Sequence, residues 1–189
     1  MTDKPNYPDR QSLRLKDYDY SQPGAYFVTL CAKDRWSLFG EIVDGVMQLN
    51  EAGRIVAEEW MKSAEIRQEI KLDEWVIMPN HFHGIVVITS DSVRAHGRAP
   101  VQKPRGASDR PLCRPPKSIG AMIAGFKSAA TKHINAYRQT PGEKLWHRNY
   151  WEHVIRNEHD LAEICEYIRN NPAKWEFDGF YLPPWVAID

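Results

Sequence analysis

The sequence has no long apolar run and few cysteines. No segment approaches the roughly 18 uninterrupted apolar residues of a transmembrane helix, which excludes a membrane-spanning protein of that kind. Residues 1–6 are polar and lack the apolar centre of a signal peptide, so we expect no export and a cytoplasmic location. The cysteines, Cys31, Cys113 and Cys165, are odd in number and form no Cys-x-x-Cys pair. This predicts free thiols rather than a disulfide framework or a zinc knuckle.

The sequence also lacks a net charge, with 25 basic and 25 acidic residues. Taken alone, this argues against a non-specific polyanion binder. The charge is unevenly distributed, however, because residues 91–117 contain seven basic and two acidic residues. Five prolines between positions 90 and 116 predict a disordered or substrate-ordered basic loop, which is able to contact phosphates locally.

The hydrophobic periodicity predicts an α+β protein. Strands are expected at 24–31, 71–78, 82–89 and 146–156, a hairpin at 38–49, and helices at 51–67, 117–138 and from 157 or 158 to Pro172. Apart from the hairpin, this order is close to β-α-β-β-α-β, the ferredoxin-like arrangement, with an antiparallel sheet and its helices packed on one face. We expect an arm at 1–22, one domain at 23–175 with the flexible basic insertion at 90–116, and a tail at 176–189.

Two histidines at the start of the strand predicted at 82–89 are candidate metal ligands. His81 and His83 are separated by one residue and flanked by apolar, strand-forming runs. On an extended strand the side chains at i and i+2 project from the same face, so both imidazoles can point at one cation. A single histidine is more often structural, but this spacing favours half of a divalent-metal site.

The last helix offers the other half of such a site. Tyr167 and Asn171 lie four residues apart and therefore share a helix face. Asn171 before Pro172 is also a common end of a helix, and Tyr167 alone would be an ordinary tyrosine of an amphipathic helix. The amide oxygen of Asn171 is nonetheless a good ligand for a hard cation. Two imidazoles and one amide would leave positions open for phosphate oxygens on Mg²⁺ or Mn²⁺.

Three segments together resemble a known family. They are HFH at 81–83, WHRNYWEHVIR at 146–156 and YIRNNP at 167–172. The combination is similar to the single-tyrosine HUH transposases (IS200-like), and most similar to their REP-associated tyrosine transposase branch, from about Tyr26 to Pro172. That branch has asparagine at the position of Asn171, where the wider insertion-sequence relatives usually have glutamine.

The resemblance implies a specific chemistry. His81, His83 and Asn171 would hold Mg²⁺ or Mn²⁺, and Tyr167 would attack a phosphodiester of single-stranded DNA that carries a REP-like hairpin. The product would be a 5′-phosphotyrosine and a free 3′-hydroxyl, and rejoining would need no ATP. The REP-associated branch is expected to act as monomers.

The sequence also offers other candidate site residues and alternative functions. Lys127, Lys132, Arg148 and Arg156 are candidate DNA-phosphate contacts, although a solvated charged surface explains them equally well. Tyr150 is the competing nucleophile, for which packing is the favoured interpretation. The alternative functions are a catalytically inactive DNA-binding protein and a two-histidine metal hydrolase or oxygenase, which would not need Tyr167 and would require another carboxylate or histidine.

Overall fold

The computed structural model describes residues 18–89 and 116–181. Most of the expected arm (1–17), the expected basic insertion (90–115) and the end of the expected tail (182–189) lie outside the described residues. Two short 3₁₀ helices cover Lys33–Arg35 and Pro172–Phe177. The longer elements are β1 (Gly24–Cys31), β2 (Gly40–Val43), β3 (Val46–Leu49), α1 (Glu51–Ile66), β4 (Ile70–Ile77), β5 (His81–Ile88), α2 (Ile119–Arg138), β6 (Trp151–Ile155) and α3 (Glu158–Asn170).

Four strands form one antiparallel sheet in the order β4-β5-β1-β6. With α1 between β1 and β4 and α2 between β5 and β6, this is the predicted ferredoxin-like β-α-β-β-α-β topology. The predicted hairpin forms as β2 and β3, joined by Asp44 and Gly45 at positive φ angles of 50° and 75°. None of the described helices is long and apolar enough to cross a membrane.

The main core lies between one face of the sheet and the helices α1 and α2. Alternate residues of the central strands, including Tyr26 of β1 and Phe82 of β5, point to this face. The Trp60 ring of α1 packs against Phe82 at 4.5 Å between ring centroids, and against Phe126 of α2 at 5.2 Å. The two helices of the β-α-β-β-α-β unit therefore share one face, as predicted.

The third helix, α3, follows the β-α-β-β-α-β unit and lies on the opposite side of the sheet from α1 and α2. A second, smaller core forms there from Phe27 of β1, Ile85 of β5 and Ile168 of α3. The reason is strand alternation, which gives β1 and β5 an apolar residue on each face. The exposed Arg169 guanidinium donates to Glu74 of β4 at 3.0 Å and adds a contact between α3 and the sheet.

The sixth strand is shorter than the predicted 146–156, since it begins only at Trp151. Trp146 forms a single bridge with Ala32, and the His147 N–H still donates to the Cys31 carbonyl at 2.9 Å, whereas residues 148–150 leave the sheet. The Lys127 ammonium of α2 explains this departure, because it donates to the carbonyls of His147 (2.9 Å) and Asn149 (3.3 Å). Residues 145–147 thus keep backbone hydrogen bonds to the end of β1, and Lys127 of α2 holds the chain where it leaves the sheet.

Two glycines provide a matched test of this packing. A Cβ at Gly84 of β5 would stand 2.7 Å from the Trp60 ring, whereas a Cβ at Gly125 of α2 would meet only the Arg67 side chain at 3.6 Å. We expect Gly84→Ala to lower the free energy of unfolding by about 1–3 kcal/mol through overpacking. Gly125→Ala should raise it by about 0.5–1 kcal/mol, because alanine favours a helix. Urea unfolding measures both, and an undestabilised Gly84→Ala protein would contradict this packing.

Candidate active site

The candidate site is built on the face of the sheet that α3 covers. His81 and His83 of the central strand β5 both point to this face and are essentially fully buried. Their Nε2 atoms approach to 2.9 Å, so the two imidazoles do point at one place, as the spacing predicted. Neighbouring strands on both sides of β5 fix this arrangement through backbone hydrogen bonds.

Both histidines are neutral near pH 7. Burial, assisted by the positive charge of Arg35, lowers the pKa of His81 from 6.5 to about 3. Burial and the neighbouring His81 lower the pKa of His83 well below 6.5, against the opposing effect of Asp178. A neutral imidazole retains a nitrogen lone pair, which is the form that binds a metal ion.

Helix α3 brings Tyr167 to the histidines. Asn157 caps the helix by accepting a hydrogen bond from the Asp160 N–H at 2.8 Å, and Ile168 anchors it in the smaller core. The preceding residue, Tyr167, is 44% exposed and sits at the edge of that core. Its hydroxyl lies 3.2 Å from His83 Nε2, although 84 residues separate the two in the chain.

The pKa of Tyr167 is raised to about 12, mainly because the phenolate would be partly buried and also because Asp178 carries a negative charge. A hydrogen bond with Asn171 acts in the opposite direction. The hydroxyl therefore stays protonated at neutral pH. It needs assistance with the loss of its proton before it can act as a nucleophile.

A carboxylate that the sequence pattern did not reveal completes the cluster. Asp178 follows the 3₁₀ helix Pro172–Phe177, in the segment expected to be a tail, and its Oδ2 lies 4.0 Å from His81 Nε2. One ligand atom from each of His81, His83 and Asp178 lies within 4.8 Å of the others. The Tyr167 hydroxyl is 3.5 Å from the same Oδ2. Two imidazoles and a carboxylate suit a divalent cation.

Asn171, the predicted third ligand, also lies beside this cluster. Its Nδ2 donates to Asp178 Oδ2 at 3.1 Å. Its Oδ1 is buried and has no hydrogen-bond partner among the described residues. Such an acceptor usually has a partner, and a cation would supply one. The donor set therefore fits a divalent metal, with either Asp178 or Asn171 beside the histidines.

The four predicted DNA contacts fall into two places. Lys127, Lys132 and Arg148 line an open groove of about 530 Å³ between α2 and the segment before β6, together with Lys144. Lys127 is engaged there with backbone carbonyls, as described above. Arg156 lies apart, in the turn between β6 and α3, where its backbone N–H donates to Asp160 at 3.1 Å. The groove lies on the α2 side of the sheet, away from the histidines.

Two curated proteins are similar to this chain over most of its length. No protein-family model matches the chain. An uncharacterized protein of Haemophilus influenzae is 39% identical over 173 residues, which are 92% of this chain and 93% of that protein. A second protein of the same organism, named "Putative REP-associated tyrosine transposase", is 23% identical over 174 residues, 86% of this chain and 83% of its own length.

A solved structure shares the fold. It is a REP-associated tyrosine transposase bound to a REP hairpin, and it superposes with a TM-score of 0.56 at 19% identity. The superposition covers 89% of this chain and 76% of that one.

Single substitutions at Asp178 and Asn171 distinguish the two candidates for the third metal ligand. We expect Asp178→Asn to weaken Mn²⁺ binding about tenfold or more, because it removes the negative charge nearest the imidazoles. Asn171→Ala should have a smaller effect. Titration of the electron paramagnetic resonance signal of free Mn²⁺ measures both affinities.

Asp160→Asn is the control, since that carboxylate pairs with His153 instead, at 3.0 Å. Unchanged affinity in Asp178→Asn, with a large loss in Asn171→Ala, would make Asn171 the ligand and exclude Asp178.

Proposed function

We propose that this chain is a REP-associated tyrosine transposase, which cuts and rejoins single-stranded DNA next to a hairpin with Tyr167 as the nucleophile; its similarity to two proteins of that name supports the proposal. The observation that carries the proposal is the 3.2 Å distance from the Tyr167 hydroxyl to His83 Nε2. This distance supports the proposal, because the proposed nucleophile would then stand beside a cluster that could hold a cation. Both lie on a sheet that keeps their positions fixed.

The residues that would hold the metal are His81 and His83 with Asp178 or Asn171. A divalent cation there would bind the non-bridging oxygens of the scissile phosphate and reduce its negative charge. Mg²⁺ and Mn²⁺ both suit a phosphate substrate. The two imidazole donors favour Mn²⁺, since Mg²⁺ prefers oxygen ligands and binds nitrogen more weakly.

The reaction at Tyr167 is a transfer of the phosphoryl group. The phenolic oxygen forms a bond to phosphorus as the bond from phosphorus to the 3′-oxygen breaks. The phenol loses its proton and the departing 3′-oxygen gains one, so no proton is released overall. Because the 5′-phosphotyrosine keeps the energy of the phosphodiester, a 3′-hydroxyl can reverse the step and rejoin a strand without ATP.

A single chain would supply every residue that the proposed reaction requires. Tyr167 reaches His83 of its own chain, and Asp178 follows in the same chain. We therefore propose that the protein acts as a monomer. The groove beside α2, with Lys132, Lys144 and Arg148, would bind the phosphate backbone of the hairpin, because four neighbouring cationic residues, Lys127 included, attract a polyanion.

A second candidate function has one specific observation in its favour. Two histidines and one carboxylate, here His81, His83 and Asp178, are also the ligand set of non-haem iron oxygenases and resemble that of metal hydrolases. Such an enzyme would not need Tyr167. The short distance from the Tyr167 hydroxyl to the cluster and the similarity to REP-associated tyrosine transposases both favour strand transfer.

Replacing the nucleophile separates these functions. We expect Tyr167→Phe to abolish cleavage and the covalent adduct while hairpin binding is retained, because only the hydroxyl is removed. The substrate is a hairpin-bearing single-stranded oligonucleotide with Mn²⁺. A 3′ label should migrate with the protein on a denaturing gel, since the 5′-phosphate of that fragment becomes attached to tyrosine. A 5′ label should appear in a free fragment.

Tyr150→Phe is the matched control and should retain the adduct. Full cleavage by Tyr167→Phe would contradict the nucleophile assignment, and an adduct lost only in Tyr150→Phe would transfer that role to Tyr150. Cleavage without any adduct would indicate a hydrolase. Binding without cleavage by the unmodified protein, with Mn²⁺ bound, would indicate an inactive DNA-binding protein.

Neutralising the groove tests where the hairpin binds. We expect Lys132→Gln with Arg148→Gln to weaken hairpin binding and to reduce the slope of log K against log salt by about 1.8, because two phosphate contacts are lost. Fluorescence anisotropy at several salt concentrations measures both quantities.

The control, Arg54→Gln with Lys71→Gln, removes the same charge from exposed positions elsewhere and should leave the slope nearly unchanged. Equal effects of the two double variants would show that only net charge matters and would exclude the groove.

A further inference from the structure

Asn80, the residue immediately before the histidine pair, is 1% exposed and uses its whole side-chain amide in hydrogen bonds. Its Nδ2 donates to the carbonyl oxygen of Arg35 at 3.0 Å and to that of Phe180 at 2.8 Å. Its Oδ1 lies 2.9 Å from His81 Nδ1. Two elements distant in sequence, the Lys33–Arg35 turn and the segment after Asp178, are thus held by one amide.

These contacts determine where the proton of His81 lies. A carbonyl oxygen can only accept a hydrogen bond, so the side of Asn80 that faces Arg35 and Phe180 must be the donating NH₂. Oδ1 is then the atom that faces His81, and it also can only accept. Nδ1 of His81 must therefore carry the proton. A neutral imidazole has one such proton, which leaves a lone pair on Nε2.

The proton of His83 then follows from the contact between the two rings. At 2.9 Å one Nε2 donates to the other, and His81 Nε2 has no proton to donate. His83 Nε2 is thus the donor, and its Nδ1 carries the lone pair. Thr29 Oγ1 lies 2.9 Å from that Nδ1, and a hydroxyl can donate to it. The Tyr167 hydroxyl, 3.2 Å from His83 Nε2, can then only accept from it, and its own proton is donated to Asp178 Oδ2 at 3.5 Å.

Binding of a cation requires the proton to move to the other nitrogen in only one of the two rings. This inference rests on the metal site of the proposed function. Both Nε2 atoms must offer a lone pair to the cation. His81 already does so, whereas His83 must lose its Nε2 proton and gain one at Nδ1. Thr29 can then accept from Nδ1, because a hydroxyl serves equally as donor and acceptor. The number of protons on His83 is unchanged.

We infer that Asn80 holds His81 permanently in the metal-binding tautomer, and that His83 changes tautomer when a divalent cation binds, with Thr29 as its adaptable partner. Asn80 and Thr29 are thus positioning residues with unequal roles. The Asn80 amide can only accept from His81, because two carbonyls hold its NH₂ on the other side. The Thr29 hydroxyl can either donate to His83 or accept from it. Partners of this kind on metal-binding histidines commonly change metal affinity 10–100-fold when they are removed.

The tautomers can be read directly by nuclear magnetic resonance. Long-range ¹H–¹⁵N correlation of ¹⁵N-labelled imidazoles distinguishes Nδ1–H from Nε2–H in the full-length protein. After treatment with a chelator, we expect Nδ1–H at His81 and Nε2–H at His83. With Zn²⁺, chosen because it is diamagnetic, both rings should carry the proton on Nδ1. An Nε2–H tautomer at His81 in the chelator-treated protein would overturn the role of Asn80.

Two variants at position 80 separate positioning from mere structural support. Asn80→Ala removes the acceptor, so we expect mixed tautomers at His81 and Mn²⁺ binding weakened about 10–100-fold. Asn80→Asp keeps an acceptor for His81 Nδ1 but loses both donations to carbonyls. It should retain the Nδ1–H tautomer and bind Mn²⁺ much more tightly than Asn80→Ala. Equal losses of affinity in the two variants, or none in Asn80→Ala, would contradict the inference.

Thr29→Val completes the set, because valine has the same shape without the hydroxyl. It should weaken Mn²⁺ binding by leaving His83 Nδ1 without a partner, while the His81 tautomer stays unchanged. Unaltered affinity in Thr29→Val would exclude the adaptable role of Thr29. A His83 tautomer that Zn²⁺ does not change would exclude the switch. All these measurements are made without DNA, so they are independent of whether Tyr167 proves to be the nucleophile.

Discussion

The close approach of two imidazoles on one central strand is the constraint on which the rest of the site depends. Side chains at i and i+2 of a strand share a face, and the strands beside β5 hold its backbone in register, so the Nε2 atoms of His81 and His83 meet at 2.9 Å. Burial keeps both rings neutral. The remaining groups, Tyr167 and Asp178, are placed around this point by elements that pack on the same face.

The opposite faces of the sheet serve different purposes. One face carries α1 and α2 and the large core around Trp60 and Phe82, which supports β5 from behind. Among the described residues, the other face has a smaller core of buried apolar side chains, Phe27, Ile85 and Ile168, with polar groups beside it. The same small core fixes α3, so the contact that packs the helix also positions Tyr167.

Much of the fold followed from local patterns. Period-two alternation predicted the strands of the sheet, Asp44-Gly45 predicted the hairpin turn, and the spacing of His81 and His83 predicted their convergence. The features that local patterns did not predict depend on contacts between distant residues. The side chosen by α3 rests on Ile168 meeting Phe27, and the late start of β6 rests on Lys127 holding the preceding carbonyls. Asp178 and the partners of Asn80 gave no sequence signal, because neither has a periodic relation to the histidines.

A single cation site between the histidines, within reach of the tyrosine hydroxyl, would unite these features. Anomalous X-ray scattering from crystals grown with Mn²⁺ can locate the ion. We expect one strong manganese peak bonded to the Nε2 atoms of His81 and His83, with an oxygen of Asp178 or Asn171 as a further ligand. A peak elsewhere, or ligation through Nδ1 of either histidine, would contradict the account.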